Sequence, residues 1–265
     1  IILIPQGIAY ALIAGLPPIY GLYCAIVPQV MYAIFGSSRQ VAIGPVAMDS
    51  LIVATGVSTL ALAGSDSYIS IAILLALLVG MIQFFMGIFS LGFIVNFLSK
   101  PVITGFTSAI ALIIGLNQFG NLFGVDFIQS DQIQNIVKDI WFRFMNYNYH
   151  TTMIGGISMA LIIVFRKINK KIPNALIVVI LGILLIKYFE KSFEDVAIIR
   201  GIPSGLPSFG IPDFDIDQIR ELFPIALTLV MVGYLETISI GKSLEAKQEA
   251  YRIRPNQELL ALGIS

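Results

Sequence analysis

The sequence predicts an all-α protein that crosses a membrane many times, and three observations carry that expectation. Apolar residues make up 57% of the chain and charged residues 12%, with a mean hydropathy of +0.89, far more apolar than a soluble domain. The charges that do occur are clustered between apolar runs rather than spread along them. Most of those runs reach the roughly 20 apolar residues that a bilayer-spanning helix requires. Net charge is zero, so the balance gives no reason to expect nucleic acid as a partner. One cysteine, Cys24, excludes an internal disulfide framework and a cysteine-based metal cluster. Residue 1 falls inside an apolar run, with no initiator Met and no signal peptide, so the chain is expected to be a fragment with a clipped first span.

Taken in order, the first two spans are expected at about 1–16 and 18–35, separated by Leu16-Pro17-Pro18. A shorter segment, 46–62, follows Gly44-Pro45 and carries Asp49, Ser50, Thr55, Ser58 and Thr59, which is too polar for a lipid-facing span. It reads as a half-helix buried in the bundle. Further spans are expected at 68–91, 100–123, 152–166, 172–189 and 219–243, and a last one begins near 257. Segment 131–146 sets Ile133, Ile136, Val137, Ile140, Trp141 and Phe144 at i, i+3, i+4, i+7 spacing, with Asp131, Lys138, Asp139 and Arg143 on the other face. That pattern fits a helix lying in the membrane interface or one packed on the outside of the bundle. Residues 200–217, with Gly201, Pro203, Gly205, Pro207, Gly210 and Pro212, read as an extended loop.

Loop charges set the orientation. Arg166, Lys167, Lys170 and Lys171 lie between two closely spaced spans, and Arg39, Lys100, Lys242, Lys247, Arg252 and Arg254 fall on the same side. The opposite loops carry Asp126, Asp131, Asp139, Glu190, Glu194 and Asp195 with fewer basic residues. Cationic short loops stay inside, so the N-terminus is expected to be cytoplasmic.

Breaks in the early helices locate the candidate chemistry. Pro5-Gln6-Gly7 and Gly44-Pro45 interrupt apolar runs, and lipid offers no water to satisfy the backbone groups that such breaks set free. Broken helices of this kind are the best pointer in a sequence to a transport site. A half-helix beginning after Pro45 would aim the N–H groups near Val46, Ala47 and Met48 at the bundle centre, together with the positive end of its dipole; the plain alternative is a Pro-initiated helix with no ligand. The Gln6 amide can donate to an oxyanion, and Tyr10, one turn on, could wall the same cavity, although a lone Gln near a span end is often just interfacial.

Glu236 lies well inside an apolar span, where an acid is costly unless paired, protonated or hydrated. It suits a proton carrier, with Ser239 and Ser243 on its face; the alternative is a carboxylate satisfied by helix contacts or close to the cytoplasmic end. Asp49 is the second intramembrane acid. A fixed negative charge beside an anion site opposes binding, so Asp49 is expected to face away or to be protonated, in a structural role. Gly105, Thr107, Ser108, Ala109, Ala111 and Gly115 form a small-residue stripe that reads as close helix packing. His150 lies outside with no metal-ligand spacing, and no phosphate loop, dinucleotide motif or catalytic triad is present. No cofactor is expected, and no enzymatic activity.

The motifs closely resemble the signature of the sulfate permease (SulP) family of anion transporters. They are Pro5 to Tyr23, Phe35-Gly36-Ser37-Ser38-Arg39, Ile43-Gly44-Pro45, the Gly92–Ser108 helix junction, Gly233-Tyr234-Leu235-Glu236-Thr237-Ile238-Ser239 and Asn256–Gly263. The resemblance implies a partial seven-plus-seven inverted-repeat fold: about eight helices plus the start of a ninth, the third a half-helix. Residues 1–265 would then be the N-terminal part of a transmembrane transport domain, with the second repeat incomplete and a C-terminal STAS domain absent. It further implies an anion site drawing on Gln6, Tyr10, Val46 and Ala47, with Glu236 in proton coupling. Val46 stands where many members have Phe, which implies a wider cavity wall and leaves selectivity open. Sodium-coupled members carry Thr or Ser one turn after the acid; here that position is Ile240. The expected function is therefore proton-coupled sulfate symport by an elevator-like shift in a cell membrane (the inner membrane if bacterial). Bicarbonate or chloride exchange, or an anion channel on the same fold, are the alternatives, and a homodimer is possible for the family.

Overall fold

Lipid leaves the backbone no external partner, so each apolar run closes its own hydrogen bonds as a helix. The computed structural model describes residues 3–38, 41–97, 100–125, 133–143, 145, 147–168, 173–189, 193, 195–196, 205, 214–245 and 252–265. Arg39, Lys170, Lys171, Lys247 and the loop 206–213 lie outside these. Ten α-helices are described: α1 (Leu3–Ile13), α2 (Pro18–Phe35), α3 (Ala47–Val57), α4 (Asp66–Ile88), α5 (Lys100–Phe123), α6 (Ile133–Arg143), α7 (Tyr149–Ile168), α8 (Asn174–Tyr188), α9 (Ile216–Glu245) and α10 (Pro255–Ile264). A 3₁₀ helix, Leu91–Phe97, follows α4. Four of the described helices, α2, α4, α7 and most of α9, are long and apolar enough to cross a membrane.

Local signals account for the ends. Pro18 opens α2, where its missing N–H is no loss. Ser65 caps α4 by accepting from the Tyr68 N–H at 3.2 Å. The run expected to continue to residue 91 stops at Ile88, because Ser90 takes a left-handed φ of 58° and redirects the chain into the 3₁₀ helix.

The chain forms two compact units. In the larger, Gly7–Ala109 with Ser204–Ser265, α4 lies between α9 and α10, and α3 packs on α9 and α4. Tyr68, Leu74, Leu75, Val57, Leu222 and Ala226 fill the layer shared by α3, α4 and α9. Tyr234 and Ile238 of α9 meet Leu259 of α10 in a second layer. Glycines set the closest crossings. A Cβ on Gly263 would stand 2.5 Å from the Phe84 nitrogen and 2.7 Å from the Gly80 carbonyl oxygen, so α4 and α10 touch backbone to backbone. Gly7 and Gly21 do the same for α1 and α2.

In the smaller unit, Ile1–Gln6 with Ile110–Pro203, α7 packs on α8. Asn148 caps α7, accepting from the Thr151 N–H at 2.9 Å, and its own N–H donates to the Phe123 carbonyl at 2.8 Å. On the amphipathic α6, Ile136 is buried while Trp141 and Phe142 are exposed. Of the α5 small-residue stripe expected to pack closely, Gly105 and Gly115 have nothing within 4 Å of a Cβ among the described residues. Spacing reveals a helix face that permits close approach, not the presence of a neighbour.

Candidate functional site

The Ile43-Gly44-Pro45-Val46 segment runs extended into α3, and Val46 (φ −122°, ψ 145°) is the residue before the first helical position. No side chain caps the helix. The Ser50 N–H donates to the Val46 carbonyl at 3.0 Å and is the first helical bond. The N–H groups of Val46, Ala47, Met48 and Asp49 therefore have no acceptor within the helix. Eleven residues of α-helix span about 16 Å, half a bilayer. Met48, Ser50, Leu51, Ala54, Gly56 and Val57 of α3 are buried. This is a short, mostly buried helix with an uncapped N-terminus, an arrangement that can bind an anion.

The expected site residues are placed as follows. Gln6 and Tyr10 lie one turn apart on α1, both half-buried. Val46 and Ala47 form the α3 N-terminus, and Pro45 approaches α1: its Cγ would be 3.7 Å from a Cβ on Gly7. Glu236 is half-buried on α9 and receives no hydrogen bond among the described residues. Ser239, one turn on, is exposed, and the Ser243 side chain lies outside the described residues.

Asp49 sits where α3, α4 and α9 meet. Its Oδ2 would be 3.7 Å from a Cβ on Gly233 of α9, and the Gln83 Nε2 of α4 lies 4.0 Å from the same point. Its Oδ1 is fully buried and has no hydrogen-bond partner among the described residues. Glu236 lies one turn beyond Gly233 on the same helix, near enough to act on that carboxylate. Asp49 is thus turned toward α9 and toward the second acid. Gln83 is not marked in the sequence, and Gly233 is marked only as part of a motif, because their relation to Asp49 exists only through the crossing of three helices.

A second polar cluster was also not foreseen. Glu258, at 1% exposure, accepts from the Tyr32 hydroxyl at 2.7 Å, from the Ser37 N–H at 3.0 Å and from the Ser37 hydroxyl. Beside it lies a cleft of about 780 Å³ whose lining includes Gln29, Ser38, Arg252, Arg254 and Gln257. The motifs Phe35–Ser38 and Asn256–Glu258 were both visible in the sequence, but not that they join. Among the described residues no group of His, Cys, Asp and Glu could hold a metal ion.

Comparison with known proteins gives a family and a fold. The model described as the sulfate permease family matches residues 1–265. The chain is 38% identical over 273 residues to the chloroplastic sulfate transporter 4.1 of Arabidopsis thaliana, covering 100% of this chain and 39% of that protein. The solved structure of SLC26A9 superposes with a TM-score of 0.88 at 26% identity, over 99% of this chain and 44% of that one. The transmembrane domain of a cyanobacterial bicarbonate transporter, BicA, superposes with a TM-score of 0.85 at 22% identity, over 99% and 67%. The chain spans about two fifths of the length of the first curated relatives it matches.

Proposed function

The chain belongs to the sulfate permease family, and on that premise we propose that the protein carrying it is a secondary transporter of inorganic anions that moves sulfate together with protons. The observation that carries this reading is the uncapped α3 N-terminus, with the N–H groups of Val46, Ala47, Met48 and Asp49 lacking helical acceptors. Tetrahedral oxyanions suit such a site, since several N–H donors and the helix dipole act on one charge. Gln6 and Tyr10 of α1 are assigned to its wall, and Glu236 to proton coupling. Sulfate is favoured by the 38% identity to a sulfate transporter. A proton rather than sodium is favoured by Ile240, an apolar side chain one turn after Glu236 where a cation ligand would be needed. The substrate would cross by an elevator-like movement of the helices that hold the site. Positively charged short loops support a cytoplasmic N-terminus.

Uptake of labelled sulfate by the full-length protein in proteoliposomes, measured between pH 5.5 and pH 8, tests the proposal. Uptake should saturate, show counterflow and rise with an inward proton gradient. Flux that never saturates would assign a channel instead. In Glu236→Gln the gradient should no longer drive accumulation, and undiminished proton-driven accumulation in that variant would remove Glu236 from the mechanism.

A further inference from the structure

Asp49 has no role in the site as described so far, yet it occupies the first turn of the helix whose N-terminus is assigned to the anion. A carboxylate there opposes anion binding unless its charge is neutralised. Among the described residues nothing around it does so by ion pairing. Of the elements packed on α3, α4 presents the uncharged Gln83 amide and α9 presents Glu236, a second acid. Among the described residues no cation acts on Asp49.

The space between the two helices is also made for this meeting. Gly233 lies one turn before Glu236 on α9 and contributes no side chain, so the Asp49 carboxylate sits against bare α9 backbone, 3.7 Å from where a Cβ would be. Its Oδ1 is fully buried and accepts no hydrogen bond from the described residues. A buried carboxylate oxygen without a donor is a costly group when ionised and an ordinary one when it carries a proton. Two neighbouring acids in such surroundings give up the second proton far less readily than the first.

We infer that Asp49 and Glu236 form one proton-holding pair between α3 and α9, and that the proton they share makes the α3 N-terminus competent to bind its anion; this rests on the transport reading given above. With the proton held, the pair carries one negative charge rather than two, and the field opposing an anion at Val46–Asp49 is weakened. Linkage makes the effect mutual: a bound anion increases the affinity of the pair for its proton. Binding of both together is then favoured over binding of either alone, which is the thermodynamic content of symport. Asp49 is a coupling residue and contributes no contact to the anion through its side chain.

Equilibrium binding of sulfate to the purified full-length protein at pH 6 and pH 8 tests the inference without relying on the transport cycle. Wild type should bind about 10-fold more tightly at pH 6, within the usual span of coupling between two sites. In Asp49→Asn one acid remains, able to ionise alone, so the ratio between the two pH values should fall below about 2-fold. Glu236→Gln should flatten the ratio in the same way, and Asp49→Glu should restore it. Asp49→Thr, which also removes the charge, serves if the Asn variant does not accumulate as folded protein. An unchanged pH ratio in the charge-removing Asp49 variants overturns the inference while leaving sulfate transport standing. Sulfate binding strengthened by sodium at fixed pH, and lost with Asp49, also overturns it by assigning a metal cation to the pair. Wild type that binds no sulfate at either pH overturns the transport reading itself.

Discussion

Tyr32 donates its hydroxyl hydrogen to the carboxylate of Glu258 across 2.7 Å, joining the last turns of α2 to the first turn of α10 over 226 positions of sequence. The same carboxylate holds the Ser37 N–H at 3.0 Å. Arg254 adds a bond from its N–H to the Ser37 hydroxyl at 3.2 Å, and Gln257 donates to the Phe35 carbonyl at 3.1 Å. The turn after α2 is therefore held as one polar knot.

Because Glu258 is buried with its acceptors in use, removing a partner leaves a desolvated group behind. Tyr32→Phe should cost about 1.5–3 kcal/mol, the range for a hydrogen bond to a charged group, and Glu258→Ala should cost more because it strands several donors. The combined variant should cost clearly less than the sum of the two. Unfolding midpoints of detergent-solubilised protein measure this, and additive losses would show that the two side chains are not coupled.

The α4–α10 crossing should be intolerant of any side chain. Gly263→Ala places a Cβ 2.5 Å from the Phe84 nitrogen, and relief requires the helices to separate, at about 1–3 kcal/mol. Gly105→Ala and Gly115→Ala on α5 meet nothing among the described residues and should be neutral or stabilising by up to about 1 kcal/mol through helix propensity. The contrast is read from thermal midpoints, and equal effects at the three sites would contradict the crossing.

These comparisons also show what could be read in advance. Hydropathy located the helices because a bilayer leaves little choice: α2 runs over 18–35 as expected, and α8 over 174–188 within the expected 172–189. Pro45 located the start of α3 because proline cannot continue a preceding helix. Pairings between distant helices were not legible. Asp49 could be seen as an intramembrane acid, but its approach to Gly233 depends on how α3 crosses α9. Glu258 stood in a recognisable motif, yet which donors would reach it depended on the path of residues 36–38. A small-residue stripe marked α5, whereas only the fold shows that Gly263 of α10 meets Gly80 and Phe84 of α4.

The N-terminal end of α7 should lose order in acid. His150 Nδ1 lies 2.9 Å from Asp195 Oδ1, Asn148 Nδ2 donates to Asp195 Oδ2 at 2.9 Å, and the His150 hydrogen bond, followed by that from Asn148, holds the exposed Asp195 carboxyl below its ordinary value. An acid whose affinity for protons is lowered on folding contributes stability that is complete above its unfolded value, near 3.9. That contribution is lost as pH falls through the lower folded value. Hydrogen exchange at residues 148–152, corrected for intrinsic rates, should therefore quicken below about pH 4 in wild type. In Asp195→Asn this acid-dependent step should be missing. An identical acid response in the two proteins would mean that Asp195 does not tie down this cap.

Ala47→Pro isolates one donor of the assigned anion site without breaking the helix that carries it. Position 47 is the first of α3, where proline is favoured because the N–H it removes has no helical acceptor. The residue before a proline must be extended, and Val46 already is, at φ −122° and ψ 145°. The substitution therefore deletes a single N–H at little cost in stability. If that N–H meets the anion, sulfate affinity of the full-length protein should fall about 10- to 100-fold, the equivalent of 1.5–3 kcal/mol for a charged hydrogen bond. The thermal midpoint should move little, and its ligand-free value serves as the control for folding. A variant that folds normally and binds sulfate as tightly as wild type would place the anion elsewhere than at the start of α3.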